Sequence, residues 1–308
     1  MFSDYTATEL GAIFAMQGFA GLSLFCVFLL MALGLAIIFG QMKVINMAHG
    51  EFLTIGAYTT YLLSTLTEKH FPGFMDYYFF LAIACAFIIA FLVGYLVEFG
   101  LVRFLYKRPL DTLLATWGLS LIMQQGFRSI FGAREVSPTL PDWLLGSSPL
   151  TDIIEIPING MLVVAVTLFM TVGVFYLLFK SRWGLRVRAT TQNREMAGAA
   201  GINTKKVDRY TFALGCGIAG IAGAVFTTIA STGPTSGSRY IVDTCLVVVF
   251  GGAASLFGTI ASAFSIAQAQ SIMEFFMSGS MAKVLTLLTV IVILMIKPEG
   301  LFSIKVRK

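Results

Sequence analysis

Charged side chains are scarce in this sequence. Of its 308 residues only 12% are Asp, Glu, Lys or Arg, whereas 57% are hydrophobic and the mean hydropathy is +0.85. An average soluble domain is about 25% charged, so this chain has roughly half the polar surface that a water-soluble globule needs. The composition excludes an ordinary soluble protein. It predicts an all-α, polytopic membrane helix bundle, with residues 1–308 forming a single transmembrane domain.

The motifs of common catalytic sites are also lacking. The sequence has no G-x-x-x-x-G-K-[ST] phosphate loop, no H-E-x-x-H metal motif and no G-x-S-x-G nucleophile elbow. Its four cysteines lie far apart in apolar runs without a C-x-x-C pair, which is typical of small buried hydrophobic residues (Cys26, Cys85, Cys216 and Cys245). We therefore expect no enzyme activity, no cofactor and no metal site in this chain.

Eight apolar runs are candidates for membrane spans, which need about 20 residues each. They cover residues 10–40, 47–66, 79–102, 112–131, 157–179, 210–231, 242–275 and 281–296. As one helix rising about 1.5 Å per residue, the seventh run would reach roughly 50 Å across a hydrocarbon core near 30 Å. The glycines within 251–258 therefore predict a broken helix or two short spans in 242–275.

Basic residues are distributed unevenly among the loops. Lys and Arg concentrate at 103–108, at 180–209 and after the last apolar run, whereas the loops at 67–78 and 132–156 are mainly acidic. The positive-inside rule assigns the basic loops to the cytoplasm and the base-poor loops to the outside. The chain then starts outside and makes about eight or nine crossings.

Two patterns inside the apolar runs bear on packing and transport. Gly215, Ala219 and Gly223 recur every four residues, a spacing that lets helices approach closely, either within the chain or at a subunit interface. Thr116, Ser120 and Gln124 have the same spacing and share one helix face. Uncharged hydroxyls and amides suit a path for a neutral polar solute; alternatively, they hydrogen bond to neighbouring helices.

The cytoplasmic segment 180–209 contains signals for a short helix. Asn193 is a good N-cap, Glu195 is favourable in a first turn, and Gly201 is a natural stop. We expect a short helix between two spans that exposes Met196 and several alanines. The alternative, a solvated basic loop, explains the arginines but not the capping signals.

Four further stretches stand out: residues 46–52, 188–202, 249–258 and 297–302. Together they resemble the permease subunits of the branched-chain amino acid family of ABC importers. Residues 46–52 resemble an early motif of that family, residues 188–202 its ATPase-docking loop, residues 249–258 its late glycine motif, and residues 297–302 its carboxyl end. Within the family, three passages are similar to the urea-transport branch (114–125, 190–194 and 233–243).

The resemblance implies two groups of functional residues. We expect the solute path to include Asn46, His49, Glu51, Thr116, Ser120, Gln124 and Gln270. We expect the ATPase-docking surface to include Arg188, Asn193, Arg194, Glu195, Met196, Ala197, Gly201 and Ile202.

The resemblance also implies a function and a set of partners. It implies a subunit of an ATP-driven importer that moves urea by alternating access across the bacterial cytoplasmic (inner) membrane. The implied partners are a second related permease subunit, two ATPase subunits, an extracytoplasmic solute-binding protein and membrane lipid, with no nucleic acid. The close alternative is the same machinery importing branched-chain amino acids or short-chain amides. A urea channel that acts without ATPases is an alternative from another class.

Overall fold

The computed structural model describes residues 7–42, 44–106, 108–151, 154–252, 255–297 and 300. Within these residues lie eleven α-helices: α1 (Ala7–Met42), α2 (His49–His70), α3 (Tyr78–Gly100), α4 (Pro109–Phe131), α5 (Ile158–Lys180), α6 (Arg182–Gln192), α7 (Arg194–Ala199), α8 (Thr204–Phe226), α9 (Ser236–Gly251), α10 (Leu256–Phe276) and α11 (Gly279–Ile296). Three short 3₁₀ turns accompany them (Pro72–Phe74, Val102–Phe104 and Asp142–Leu144). The chain is therefore mostly helical, as its composition predicts.

Five helical segments of the described residues are long and apolar enough to cross a membrane (Ile13–Met42, Tyr78–Phe104, Ile158–Lys180, Thr204–Phe226 and Gly279–Ile296). This finding agrees with a polytopic helical membrane protein. Nine crossings would require α2, α4, α9 and α10 in addition, and eight would require three of them; these four lie outside the five segments.

The apolar helices divide into two central and three peripheral ones. In α1 and α8, 78% and 83% of the most apolar window is buried inside the bundle. The corresponding share is only 22% in the α3 segment and 17% in both α5 and α11. Helices that are apolar all round but poorly covered by protein can be covered by lipid. The bundle therefore forms around α1 and α8.

Small residues bring the backbone of α8 close to its neighbours. A Cβ atom on Gly215 would lie 2.6 Å from the carbonyl oxygen of Gly34 in α1, and one on Gly223 would lie 1.9 Å from that of Leu53 in α2. These distances leave no room for a side chain. The small residues predicted to permit close packing do so within the chain.

The predicted break in the run 242–275 is confirmed. Helix α9 ends at Gly251 and α10 begins at Leu256, and Gly252 between them has a φ of +89°, a conformation that favours glycine. The two helices then pack against each other, with the Ser262 hydroxyl donating a 2.6 Å hydrogen bond to the carbonyl oxygen of Val247. Residues 253 and 254 of the glycine-rich stretch lie outside the described residues.

The all-α prediction is wrong in one detail. Part of the acidic loop 132–156 and the residue after it form an antiparallel hairpin of β1 (Ser147–Thr151) and β2 (Ile154–Pro157). Ser147 Oγ also donates a 2.8 Å hydrogen bond to Glu155 Oε2 across this hairpin. A loop of this length has many backbone donors and acceptors to satisfy, and strand pairing satisfies some of them.

Candidate functional site

A buried polar cluster joins α2 to α4. Glu51, in the first turn of α2, is fully buried. Its Oε1 atom accepts hydrogen bonds from Ser120 Oγ at 2.9 Å and from Gln124 Nε2 at 2.8 Å. The predicted polar stripe of α4 therefore faces α2, and hydrogen bonding between helices accounts for two of its three members. Sequence reasoning treated the stripe and Glu51 separately, because no local pattern connects residues so far apart.

The start of α2 is fixed by three further residues of the expected solute path. Asn46 Oδ1 accepts a 3.1 Å hydrogen bond from the Ala48 amide, within the turn that precedes α2. His49 Nε2 lies 3.1 Å from the carbonyl oxygen of Met31 in α1, the geometry of an N–H donor. Thr116 Oγ1 accepts from the Met47 amide at 3.1 Å. Because polar groups in a membrane need partners inside the protein, these bonds fix where α2 begins.

Helix α9 begins against the same part of α2. A Cβ atom on Gly50 would lie 2.3 Å from the carbonyl oxygen of Gly237, and the Gly237 amide donates a 2.9 Å hydrogen bond to Thr54 Oγ1. Both groups lie within one turn of Glu51. The early motif therefore joins α1, α2, α4 and α9, and Gly50 allows the backbones of α2 and α9 to approach closely.

A cavity of about 500 Å³ with both charged and apolar walls lies among α1, α9, α10 and α11. Two ion pairs line it: Lys283 Nζ lies 2.6 Å from Asp243 Oδ2, and Arg239 Nη1 lies 3.4 Å from Glu135 Oε1. Glu135 belongs to the base-poor loop 132–156. This loop assigns the cavity to the end of the bundle that the charge pattern predicts to be outside.

Gln270 is the only residue of the expected solute path that lines this cavity, where its Nε2 atom donates a 3.0 Å hydrogen bond to Glu274 Oε1. The other six expected path residues lie elsewhere, at the junction of α2 with its neighbours. The charged residues of this cavity, including Asp243, are not among the site residues expected from the sequence. The signal that could have found Asp243 is an acid and a base in neighbouring apolar helices, since such charges tend to pair.

The segment 180–209 contains the predicted capped helix. Asn193 Oδ1 accepts a 3.0 Å hydrogen bond from the Met196 amide at the start of α7, and Gly201 has a φ of +83° just after its end. The solvated-loop alternative is therefore wrong. A second helix, α6, precedes α7, and Ser181 Oγ caps it by accepting a 3.0 Å hydrogen bond from the Gly184 amide.

An ion pair attaches α7 to the central helices. Arg194 pairs with Asp208 of α8, whose buried carboxylate also accepts a 3.2 Å hydrogen bond from Gln41 Nε2 of α1. Arg194 also lies over the ring of Tyr106, at 5.8 Å. Burial and the hydrogen-bonded Glu98 carboxylate raise the pKa of Tyr106 above its ordinary value, so its hydroxyl stays protonated. The Asp208 carboxylate therefore connects α7 with both α8 and α1.

The residues expected to dock differ in exposure. Glu195 and Met196 are exposed, as are Asn193 and Gly201, and Arg188 lies on the exposed side of α6, 5.3 Å from the ring of Phe179. Ala197, in contrast, is buried, and Ile202 packs against the apolar core. Helix α7 has only six residues, and the apolar contacts of Ala197 and Ile202 pack it against the bundle. Ala197 is therefore not part of the exposed surface, whereas the half-buried Ile202 still lines a cleft between α6 and the start of α8.

A membrane helix bundle with a cavity lined by charged residues at one end and a pair of capped short helices at the other is the arrangement expected of a transporter subunit. The chain belongs to the family described as branched-chain amino acid transport system, permease component, whose model matches residues 18–294. It is therefore an ABC importer permease and not an enzyme, and it is a multi-pass protein of the inner membrane, as the sequence predicts. Family membership implies ATPase and binding-protein partners in general.

Curated relatives match nearly end to end. The chain is 25% identical to the high-affinity branched-chain amino acid transport system permease protein LivH of Salmonella typhimurium, covering 94% of this chain and 96% of that protein. It is 24% identical to the corresponding permease protein BraD of Pseudomonas aeruginosa, covering 92% and 94%. It is also 24% identical to a probable LivH of Methanocaldococcus jannaschii, covering 91% and 89%. These relatives do not support the urea-transport branch, and no solved structure matches the chain significantly.

Proposed function

We propose that this chain imports branched-chain amino acids, or short-chain amides, as the membrane-spanning subunit of an ATP-driven importer. The observation that carries the proposal is the family match over residues 18–294, together with relatives named for branched-chain amino acids. Urea, the first expectation from the sequence, becomes the second candidate. The uncharged stripe on α4 suggested a urea path, but two of its members hydrogen bond to Glu51.

The whole chain acts as one transmembrane domain in this proposal. Helices α1–α5 and α8–α11 make nine crossings, so that the chain starts outside and α6 and α7 lie in the cytoplasm. The basic segment 180–209 supports this orientation, since positive loops stay inside.

The solute path starts at the cavity that Gln270 lines and continues towards the Glu51 cluster. Ser236 lines the cavity, and the next residue, Gly237, hydrogen bonds to Thr54 one turn from Glu51. Asn46, His49, Thr116, Ser120 and Gln124 then form the wall of the path below the cavity. Helix α9 packs closely on α2 at Gly50 and Gly237, which supports a path that is closed towards the cytoplasm at this point.

ATP-driven movement reaches this wall through the docking segment. Two ATPase subunits bind the exposed residues of α6 and α7 on this permease and on a second related permease, while a solute-binding protein delivers substrate outside. Movement of α7 is passed to α8 by the Arg194–Asp208 ion pair and to α1 by Gln41. Since α1 and α8 are the central helices, this linkage suits alternating access.

Uptake of labelled leucine and labelled urea by nitrogen-starved cells, with and without this chain, tests the substrate. We expect deletion to abolish high-affinity leucine uptake and to leave urea uptake unchanged. Re-expression of the chain should restore leucine uptake. Loss of urea uptake alone would overturn the amino acid assignment. Loss of neither would also overturn it and would direct the same assay to short-chain amides.

A further inference from the structure

We propose that the cavity among α1, α9, α10 and α11 binds the substrate as a zwitterion, with its ammonium group at Glu274. This inference rests on the proposed function and chooses, within it, an α-amino acid over a neutral amide. It also moves the recognition site away from the uncharged stripe of α4.

Three acids and two bases line the cavity, and one of the acids, Glu274, is not paired with either base. Lys283 pairs with Asp243, and Arg239 pairs with Glu135, so both bases that line the cavity are already in ion pairs. Glu274 makes no ion pair within the described part of the chain; it accepts a hydrogen bond from the neutral Gln270. An ionised group in a membrane bundle needs a partner or water. Glu274 is exposed, so its carboxylate is open to water and equally to a ligand ammonium group, which supplies the matching charge.

The opposite side of the cavity suits a carboxylate. Arg239 lies in the first turn of α9 and Lys283 at the start of the second turn of α11. Lys283 also donates a 2.7 Å hydrogen bond to the Arg239 carbonyl oxygen, and each base still keeps at least one donor for a ligand. Both helix starts line the cavity, at Ser236 and Gly279. The N-cap residue of α11 makes no capping hydrogen bond among the described residues, whereas in α9 the Gly237 amide donates to Thr54 Oγ1. Helix starts carry partial positive charge, which adds to that of the two bases.

The remaining wall is apolar. Leu24 and Val27 of α1, together with Phe226 and Ile229 at the end of α8, line the cavity beside the charged groups. A branched aliphatic side chain buries its surface there, which a molecule as small as urea cannot do. Cavities that hold small ligands combine such apolar walls with a few polar groups that fix orientation. The cavity thus offers Glu274 to the ammonium group of a branched-chain amino acid, Arg239 and Lys283 to its carboxylate, and the apolar wall to its aliphatic side chain.

The first test compares a zwitterion with a neutral amide that has the same carbon skeleton but no α-amino group. The complete importer is reconstituted in proteoliposomes with ATP, and uptake of leucine and of 4-methylpentanamide is measured for wild type and Glu274→Gln. Loss of one charge-assisted hydrogen bond lowers affinity by about tenfold or more, so we expect leucine uptake at low concentration to fall at least about tenfold. Any uptake of the amide should not change. Glu274→Asp should keep most of the leucine uptake.

Asp76→Asn is the matched control, because Asp76 is an exposed acid in the base-poor loop between α2 and α3. It should behave as wild type. If Glu274→Gln imports leucine as well as this control does, the cavity assignment is wrong while the proposed function stands. If the wild-type importer does not take up leucine at all, the proposed function itself fails.

A second test detects occupancy without transport. Ser280 lines the cavity in the first turn of α11, so Ser280→Cys places a thiol there for an impermeant methanethiosulfonate reagent. We expect millimolar leucine to slow labelling several-fold in the purified complex, urea to have no effect, and Glu274→Gln to remove the protection. Equal labelling with and without leucine would overturn the proposal, as would full protection in Glu274→Gln.

Discussion

Glu51 Oε1 accepts a 2.8 Å hydrogen bond from Gln124 Nε2, although 73 residues separate the two in sequence. The bond links the first turn of α2 to the middle of α4, next to a parallel bond from Ser120. On its other side α4 exposes large apolar residues such as Trp117 and Leu121. Polar contacts therefore contribute much of what holds this helix on the bundle.

Replacing Gln124 by Ala removes one of these bonds and leaves a buried carboxylate with fewer donors. We expect the free energy of unfolding to fall by about 1–2 kcal/mol, which is the usual cost of such a loss. Thermal unfolding of the detergent-purified protein measures it. The neighbouring Gln125 is exposed, so Gln125→Ala is the control and should unfold like wild type. Equal unfolding temperatures for the two variants would contradict the role assigned to the Glu51 cluster.

Replacing Gly56 by Ala should separate α2 from α8. The added Cβ atom would lie 1.9 Å from the carbonyl oxygen of Gly220, and backbone atoms cannot move aside as a flexible side chain can. We expect a loss of at least about 1–3 kcal/mol of stability, the usual cost of overpacking. Yield and thermal unfolding of the purified protein provide the measurement.

Gly173 of α5 provides the matched control, since a Cβ atom there would meet nothing within 4 Å. Gly173→Ala should be neutral or slightly stabilising, because alanine favours a helix more than glycine does. If Gly56→Ala is as stable as Gly173→Ala, the two helices do not pack as closely as described.

Reversing the charges of α7 tests the docking surface. Arg194→Glu combined with Glu195→Lys places an acid beside the buried Asp208 and inverts the exposed face of the helix. We expect uptake to be lost and the ATPase subunits no longer to copurify with the permease. Lys205→Glu alters an exposed base nearby and should leave both unchanged. Uptake that persists in the double variant would exclude a docking role for α7.

Local patterns predicted the features that depend on neighbours in sequence. The glycines of 251–258 predict the break between α9 and α10, and Asn193 with Gly201 predicts the bounds of α7, since each feature is specified by a few consecutive residues. The four-residue spacing of Ser120 and Gln124 predicts a common face but not its partner.

Contacts between residues far apart in the chain could not be predicted from the sequence. Glu51 meets α4 and Lys283 meets Asp243 only once the helices have packed, and no spacing rule relates these positions. The same holds for Ala197, which looked exposed on a short helix but is buried against the bundle. The substrate was the least predictable feature. The neutral stripe on α4 suggested a neutral solute, but Ser120 and Gln124 donate their hydrogen bonds to Glu51.

ATP-dependent accumulation of labelled leucine in proteoliposomes tests the central claim most directly. The vesicles contain this chain, its partner permease and the ATPase subunits, with the solute-binding protein added outside. We expect leucine to accumulate against its gradient only when ATP is present on the cytoplasmic side, and labelled urea not to accumulate. Leucine that merely equilibrates at the same rate without ATP, or urea that accumulates in its place, would contradict an ATP-driven importer of branched-chain amino acids.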